Sequence, residues 1–404
     1  MEGPLPPLPP VTTAPHATRV TDANADARDT SAAATGPVLR WLSLTDTPPP
    51  RRLVEADDTL RADAAFKLVC EGTALLWRGD YHGARQLLAA LGRRVDRHPA
   101  KRGATPRETF HLHRQAQGRR ARLLGMLLVP VEPGWEVPLR RAPDVREACE
   151  HAYGPSAPDG PCAVSLRELL GVVGGYEWRR KGVPVPALGG DRVYAYHGVF
   201  SPIRGEYVDL VARAPLPADR SLALDVGTGT GVLAALLARR GVARVVATDQ
   251  DPRALECARE NAARLGVADQ VDVVAADLFP PAPDPDFQGY PLVVCNPPWL
   301  PAKPTSSVEH AVYDPGGRML RGFLAGLAPA LAPGGEGWLV MSDLAELLEL
   351  RAPDELAGLV ADAGLTVVGR LDASPRHPKA ADADDPLHAA RAAETTTLWR
   401  LTRR

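Results

Sequence analysis

The stretch Leu224-Asp-Val-Gly-Thr-Gly-Thr-Gly231 constrains the fold more than any other part of this chain. Ser221 to Val226 is a short apolar run containing Asp225, and Val232 to Arg239 has helical spacing, so the pattern is strand, tight glycine turn, helix. Gly227, Gly229 and Gly231 permit positive φ and leave room for a ligand against bare backbone. Their spacing is G-x-G-x-G, which is not the G-x-G-x-x-G of dinucleotide-binding proteins. A second apolar strand, Val245 to Thr248, runs into Asp249, 18 residues after Gly231. That matches the roughly 20-residue interval of a βαβ unit with an acid placed to accept from ribose hydroxyls. The turn therefore reads as a seat for a nucleotide-like cofactor.

Two further strands extend the sheet. Val271 to Ala275 leads to Asp277, an acid that either accepts from an adenine amino group or caps a helix. Pro291 to Cys295 delivers Asn296-Pro297-Pro298-Trp299 to the carboxyl edge, where open α/β sheets bind ligands. Pro297 and Pro298 donate no N–H and fix φ, so the carbonyls of this loop are presented rigidly. Leu365 to Leu371 and Thr395 to Leu401 supply the last strands, and Asp372 to Glu394 reads as a mobile connection between them. The alternation from Ser221 onward requires a mostly parallel, Rossmann-like α/β sheet of seven strands with helices on both faces.

The glycine loop followed by Asn-Pro-Pro-Trp resembles the class I S-adenosylmethionine (SAM)-dependent methyltransferases. It is most similar to the branch holding HemK-type protein-glutamine enzymes, small-domain rRNA methyltransferases and adenine-N6 enzymes. The resemblance implies that Asp225, Gly227, Thr228, Gly229, Gly231, Asp249 and Asp277 bind SAM, and that Asn296, Pro297, Pro298 and Trp299 hold the target nitrogen. It also places Phe200 and Pro202, in Gly198-Val-Phe-Ser-Pro-Ile-Arg-Gly-Glu-Tyr207, in a lid segment near the methyl donor. Tyr313-Asp-Pro-Gly-Gly317 followed by a helix matches a segment that HemK-like enzymes carry after their motif. The resemblance covers residues 191–404. The departure is Trp299, where the glutamine enzymes usually have Tyr.

The expected reaction moves a methyl group onto a planar amide or amino nitrogen of a macromolecule. Such a nitrogen has a delocalised lone pair and is a poor nucleophile. The Asn296 side-chain oxygen and the Pro297 carbonyl can accept its two N–H bonds, localising the pair and stabilising charge that develops on nitrogen. Close, aligned approach supplies much of the rest, and the Trp299 ring offers a face to a flat group. No metal is expected. Two other readings are weighed: a nicotinamide-dependent oxidoreductase, opposed by the glycine spacing, and a catalytically silent SAM- or RNA-binding module, opposed by an intact Asn296.

At 404 residues the chain allows two or three domains. The expectation is a disordered Pro/Ala-rich tail at 1–55, an α+β substrate-recognition domain at 56–190 and the methyltransferase domain at 191–404. The five cysteines show neither metal spacing nor a paired framework, which suits a reducing, cytoplasmic compartment. No apolar run is long enough for a bilayer and no secretory leader is expected, so no membrane partner is assigned. In the middle region, Leu60 to Trp77 and Tyr81 to Val95 read as helices, Leu123 to Val131 as a strand, and Trp178 to Val183 with Arg192 to Tyr196 as a hairpin. Thr105 to Glu108 and Ser165 to Glu168 read as capping boxes. Between Arg85 and Arg122 lie eleven basic residues against Asp96 and Glu108 alone, a run that fits RNA phosphates and a solvated face alike.

Overall fold

The computed structural model describes residues 16–19, 38–45, 47–99, 101–155, 159–304, 308–376 and 380–404. They form two compact units: Met1–Lys101 with Leu112–Glu177, and Arg102–His111 with Trp178–Arg404.

The first unit is built on a six-stranded mixed sheet. Its strands are β1 (His16–Arg19), β2 (Val38–Leu42), β3 (Arg52–Ala56), β4 (Thr73–Trp77), β5 (Leu127–Val131) and β6 (Cys162–Ser165), in the order β1-β2-β6-β5-β4-β3. The helices interleaved with them are α1 (Ala62–Cys70), α2 (Tyr81–Asp96), α3 (Pro106–Gly125), α4 (Arg146–Tyr153) and α5 (Leu166–Lys181). Three expectations are corrected here. Strands β1, β2 and β3 start within the stretch read as a disordered tail, and Leu39, Trp41 and Leu53 of β2 and β3 are buried there; the rest of that reading, at residues 1–15, 20–37 and 46, lies outside the described residues. The expected helix Leu60 to Trp77 is a helix and then a strand: Gly72 turns the chain at φ 81°, and every residue of β4 is buried, which erases any two-residue period. The expected strand from Leu123 begins only at Leu127, the preceding residues closing α3.

Charge within this unit is partly matched. Arg94 pairs with Asp63 at 2.7 Å and Arg120 with Asp96 at 2.9 Å. Of the two capping boxes, the one in the second unit's Arg102–His111 segment has Thr105 Oγ1 accepting from Glu108 N at 3.1 Å, while the Glu108 carboxylate takes Ala104 N and not the cap residue's own N–H. At Ser165 the box is only half made. Glu168 is drawn instead into a buried network, accepting from Leu44 N at 3.0 Å and Tyr153 Oη at 2.7 Å, and burial pushes its carboxyl up.

The second unit carries β9 (Leu222–Val226), β10 (Arg244–Asp249), β11 (Val271–Ala275), β12 (Tyr290–Cys295), β13 (Leu331–Ser342), β14 (Leu365–Ala373) and β15 (Thr396–Arg403), in the order β11-β10-β9-β12-β13-β15-β14. The first five in that order are parallel; β15 is antiparallel to both its neighbours. Side chains alternate between faces. Leu292, Val294, Trp338 and Val340 join one core with α6 (Glu206–Arg213) and α7 (Val232–Arg239). Val293, Cys295, Leu339 and Met341 join the other with α9 (Arg318–Ala330) and α11 (Glu355–Asp362). This is the doubly covered, Rossmann-like sheet read from the sequence. Ahead of it, Trp178 lies in α5 rather than in a hairpin, and only β7 (Val183–Pro184) and β8 (Arg192–Val193) pair. A short helix α10 (Leu344–Leu347) follows β13, and the connection after β14 contains the short helix α12 (His388–Ala393). No helix among the described residues is long and apolar enough to cross a membrane.

Candidate active site

Because β9 to β13 are parallel, their carboxyl ends lie along one edge, and antiparallel β15 begins there. Val226 and Cys295 are register partners across the β9–β12 ladder. Gly227 and Asn296 therefore leave adjacent strands side by side. This juxtaposes the two motifs, which are far apart in sequence.

The glycine loop adopts the conformations its residues were chosen for. Gly227, Gly229 and Gly231 have φ of 72°, 54° and 78°. A Cβ on Gly231 would meet the Ala258 backbone at 3.1 Å, so the third glycine allows the close approach of α8 (Pro252–Arg264); a Cβ on Gly229 would enter open space. Asp225 is buried and faces inward. Its Oδ2 accepts from Thr228 Oγ1 at 2.6 Å and from Ala234 N at 3.1 Å. Burial pushes its carboxyl up to about 6 despite these bonds. Asp225 and Thr228, expected to touch cofactor, thus brace the loop. Asp249 is partly exposed: Oδ2 accepts from Gly229 N and Oδ1 from Asp251 N, each at 3.0 Å, and burial raises its carboxyl too. Ala276 N donates to Asp249 O at 3.0 Å, which brings the start of the Asp277 loop alongside. No helix follows Asp277, which removes the helix-cap reading; its carboxylate accepts from Arg318 at 2.7 Å.

Composition gave no hint of Asn261. It sits fully buried on α8, its Nδ2 donating to Thr230 O and Tyr194 O at 3.0 Å and its Oδ1 accepting from Tyr194 N at 2.9 Å. One side chain thereby ties the glycine loop to the segment upstream of it. A polar residue on the alanine-rich buried face of a helix was the available signal.

The Asn-Pro-Pro-Trp loop is held differently. Trp299 Nε1 donates to Asn296 Oδ1 at 3.0 Å. An indole N–H only donates, so this bond fixes which end of the Asn296 amide is oxygen, and that oxygen keeps a second lone pair. Trp299 O accepts from Arg351 Nη2 at 3.0 Å, and buried Arg351 is paired with Glu346 at 3.3 Å. The Arg204 guanidinium stands 5.2 Å from the Trp299 ring centre and donates to buried Glu394 at 3.0 Å. The expected stacking face of Trp299 is thus partly covered by a cation. Leu300 N and O bond Val312 O and Asp314 N, so the Tyr313 to Gly317 segment runs beside the clamp; Asp314 caps α9 through Met319 N and Leu320 N. Phe200 is half-buried with its ring 6.5 Å from that of Tyr207, and Pro202 is buried. Arg204, Arg351, Glu346 and Glu394 were not singled out from sequence. No group of three His, Cys, Asp or Glu that could hold a metal occurs among the described residues.

Residues 192–350 match the family model described as "Methyltransferase small domain". A release factor glutamine methyltransferase from Cereibacter sphaeroides is 38% identical over 162 residues, covering 37% of this chain and 54% of that protein. Another from Mycolicibacterium smegmatis is 43% identical over 123 residues, covering 29% and 42%. A ribosomal protein L11 methyltransferase from Aeromonas hydrophila is 33% identical over 131 residues, covering 32% and 35%. The chain thus spans roughly a third to half the length of these relatives. Sheet order, glycine loop and family match agree: residues 192–350 match a methyltransferase small domain and are similar to release factor glutamine (HemK-type) methyltransferases.

Proposed function

We propose that this protein methylates a side-chain amide nitrogen of glutamine in a protein substrate, using SAM. The observation that carries the reading is the register of β9 against β12, which sets Gly227 beside Asn296 and so puts a cofactor loop next to an oriented amide oxygen. The glycine loop fits the cofactor: its backbone is bare at Gly229, and Asp249 remains partly exposed while its lone pairs exceed the two bonds it accepts. Gly227, Gly229, Gly231 and Asp249 would hold SAM, with Asp277, Phe200 and Pro202 at its margins. When bound, SAM supplies an electrophilic methyl group.

The chain's own residues do the remaining work. Asn296 Oδ1, with one lone pair on Trp299, offers the other to an N–H of the target. The Pro297 carbonyl, on a loop two prolines stiffen, accepts the second. Both acceptors favour positive charge developing on nitrogen, in a frame that needs no reorganisation. The proton is lost to solvent once the nitrogen is alkylated, so no general base is assigned.

A glutamine amide is favoured over a nucleobase on two grounds. The similar proteins named above act on a release factor glutamine and on a ribosomal protein. The basic run at Arg85 to Arg122 is partly neutralised, at Arg94 and Arg120. Incubation with methyl-labelled SAM and cell lysate, followed by protease or nuclease, tests the choice. Label removed by protease and resistant to nuclease is expected; nuclease-sensitive label would assign a nucleic-acid substrate, with the basic run as its contact.

A further inference from the structure

Arg204 joins three elements at the sheet edge. It belongs to the Gly198 to Tyr207 segment; its Nη2 donates to Glu394, the residue that closes α12 and leads into β15; and its guanidinium covers Trp299 of the clamp. Glu394 is 2% exposed, and its Oε1 also accepts from Ser342 Oγ, at the end of β13, at 2.7 Å. A buried carboxylate bonded to both an arginine and a hydroxyl is a fixed anchor, because moving either partner would strand charge away from water. The planar guanidinium is held at Nη2 by Glu394 and stands 5.2 Å from the indole centre, so the anchored arginine packs over the ring. The indole in turn fixes the Asn296 amide through Nε1.

We propose that Arg204 is a positioning residue: held by Glu394, which Ser342 also anchors, it sets the tilt of the Trp299 ring and, through the indole N–H, the direction of the Asn296 oxygen. It touches neither substrate nor methyl group in this account. Because Arg204 lies between Pro202 and Tyr207, the segment expected to line the methyl donor and the loop expected to hold the acceptor share one brace. The inference rests on the methyltransferase reading for its kinetic consequence, but not for its structural one.

The structural consequence is read without activity. In protein carrying nitrogen-15 tryptophan, the Trp299 Nε1–H resonance is assigned by its loss in Trp299→Phe. Arg204→Met should shift or broaden that resonance, and Arg204→Lys, which keeps the charge but not the plane, should do so as well. Should Arg204→Met fail to fold with Glu394 stranded, the double variant Arg204→Met/Glu394→Gln removes both charges and serves in its place. In the kinetic arm, kcat should fall roughly tenfold or more, as expected when reacting groups are misplaced by a fraction of an ångström, with SAM affinity kept within about threefold. An unmoved resonance in Arg204→Met and Arg204→Lys overturns the proposal, as does a moved resonance with kcat unchanged. Failure of the methyltransferase reading appears separately, as wild-type protein that binds SAM and labels no protein while the resonance still answers to Arg204.

Discussion

The two loops at the sheet edge leave adjacent strands but are stabilised by opposite means. The glycine loop is held from within its own βαβ unit, by bonds spanning 3 to 31 residues: Asp225 to Thr228 and Ala234, Gly229 to Asp249, Asn261 to Thr230. The Asn-Pro-Pro-Trp loop is held by arginines from remote parts of the chain. Arg351 stands 52 residues from Trp299, and Arg204 reaches Glu394 across 190 residues. A cofactor common to a whole family suits a local, self-contained seat. A substrate clamp braced by separate segments can be retuned by changing those segments while the seat stays intact. The comparison predicts that the two loops fail independently when mutated.

The largest effect is expected at Gly231. Gly231→Val combines a backbone at φ 78° with a clash against the Ala258 backbone. Left-handed strain alone costs on the order of 1–3 kcal/mol for a non-glycine residue, so SAM affinity measured by calorimetry should fall by roughly a hundredfold or more. Near-wild-type affinity would show that the glycine loop is not the cofactor seat.

Arg351→Met should come next. It removes the donor to Trp299 O and leaves Glu346 without its arginine partner. Turnover on an acceptor should fall about tenfold, with SAM affinity close to wild type. A matched loss of SAM binding would break the proposed independence of the two loops.

The last effect is a pH dependence at Asp225, read on stability and not on binding or turnover. Its carboxyl is raised to about 6 in the folded chain from an ordinary 3.8. A raised acid stabilises the folded state fully below the unfolded value, and this contribution is lost as pH rises through the folded one. The difference in melting free energy between wild type and Asp225→Asn should therefore drift against wild type between pH 3.8 and about 6, by at most roughly 3 kcal/mol, then level off. A flat difference across that window would show that Asp225 is not a buried, shifted acid.

The uneven legibility of the chain follows from the same contrast. Strand β9, the Gly227 to Gly231 turn, helix α7 and Asp249 were readable because each is specified by its neighbours in sequence. So was Asn296, at the end of a buried apolar strand. Leu60 to Trp77 was misread because β4 is buried on every side and carries no alternation, leaving only Gly72 to mark the break. Asp225 and Asp277 were visible as acids, but whether a carboxylate faces a ligand, a loop or an arginine depends on packing. Arg204, Arg351 and Glu394 were invisible as a group: in a chain rich in arginine, nothing local distinguishes the two that brace Trp299.

The most direct test of the division between the loops is Asn296→Ala, followed by two readouts on one preparation. Calorimetry should give SAM affinity within a few-fold of wild type if Asn296 serves the substrate side of the edge, as proposed. Single-turnover transfer to a glutamine-containing acceptor should fall by about 10²-fold or more, the cost of removing one preorganised polar group from such a site. Retained transfer, or loss of SAM binding together with transfer, would contradict the account.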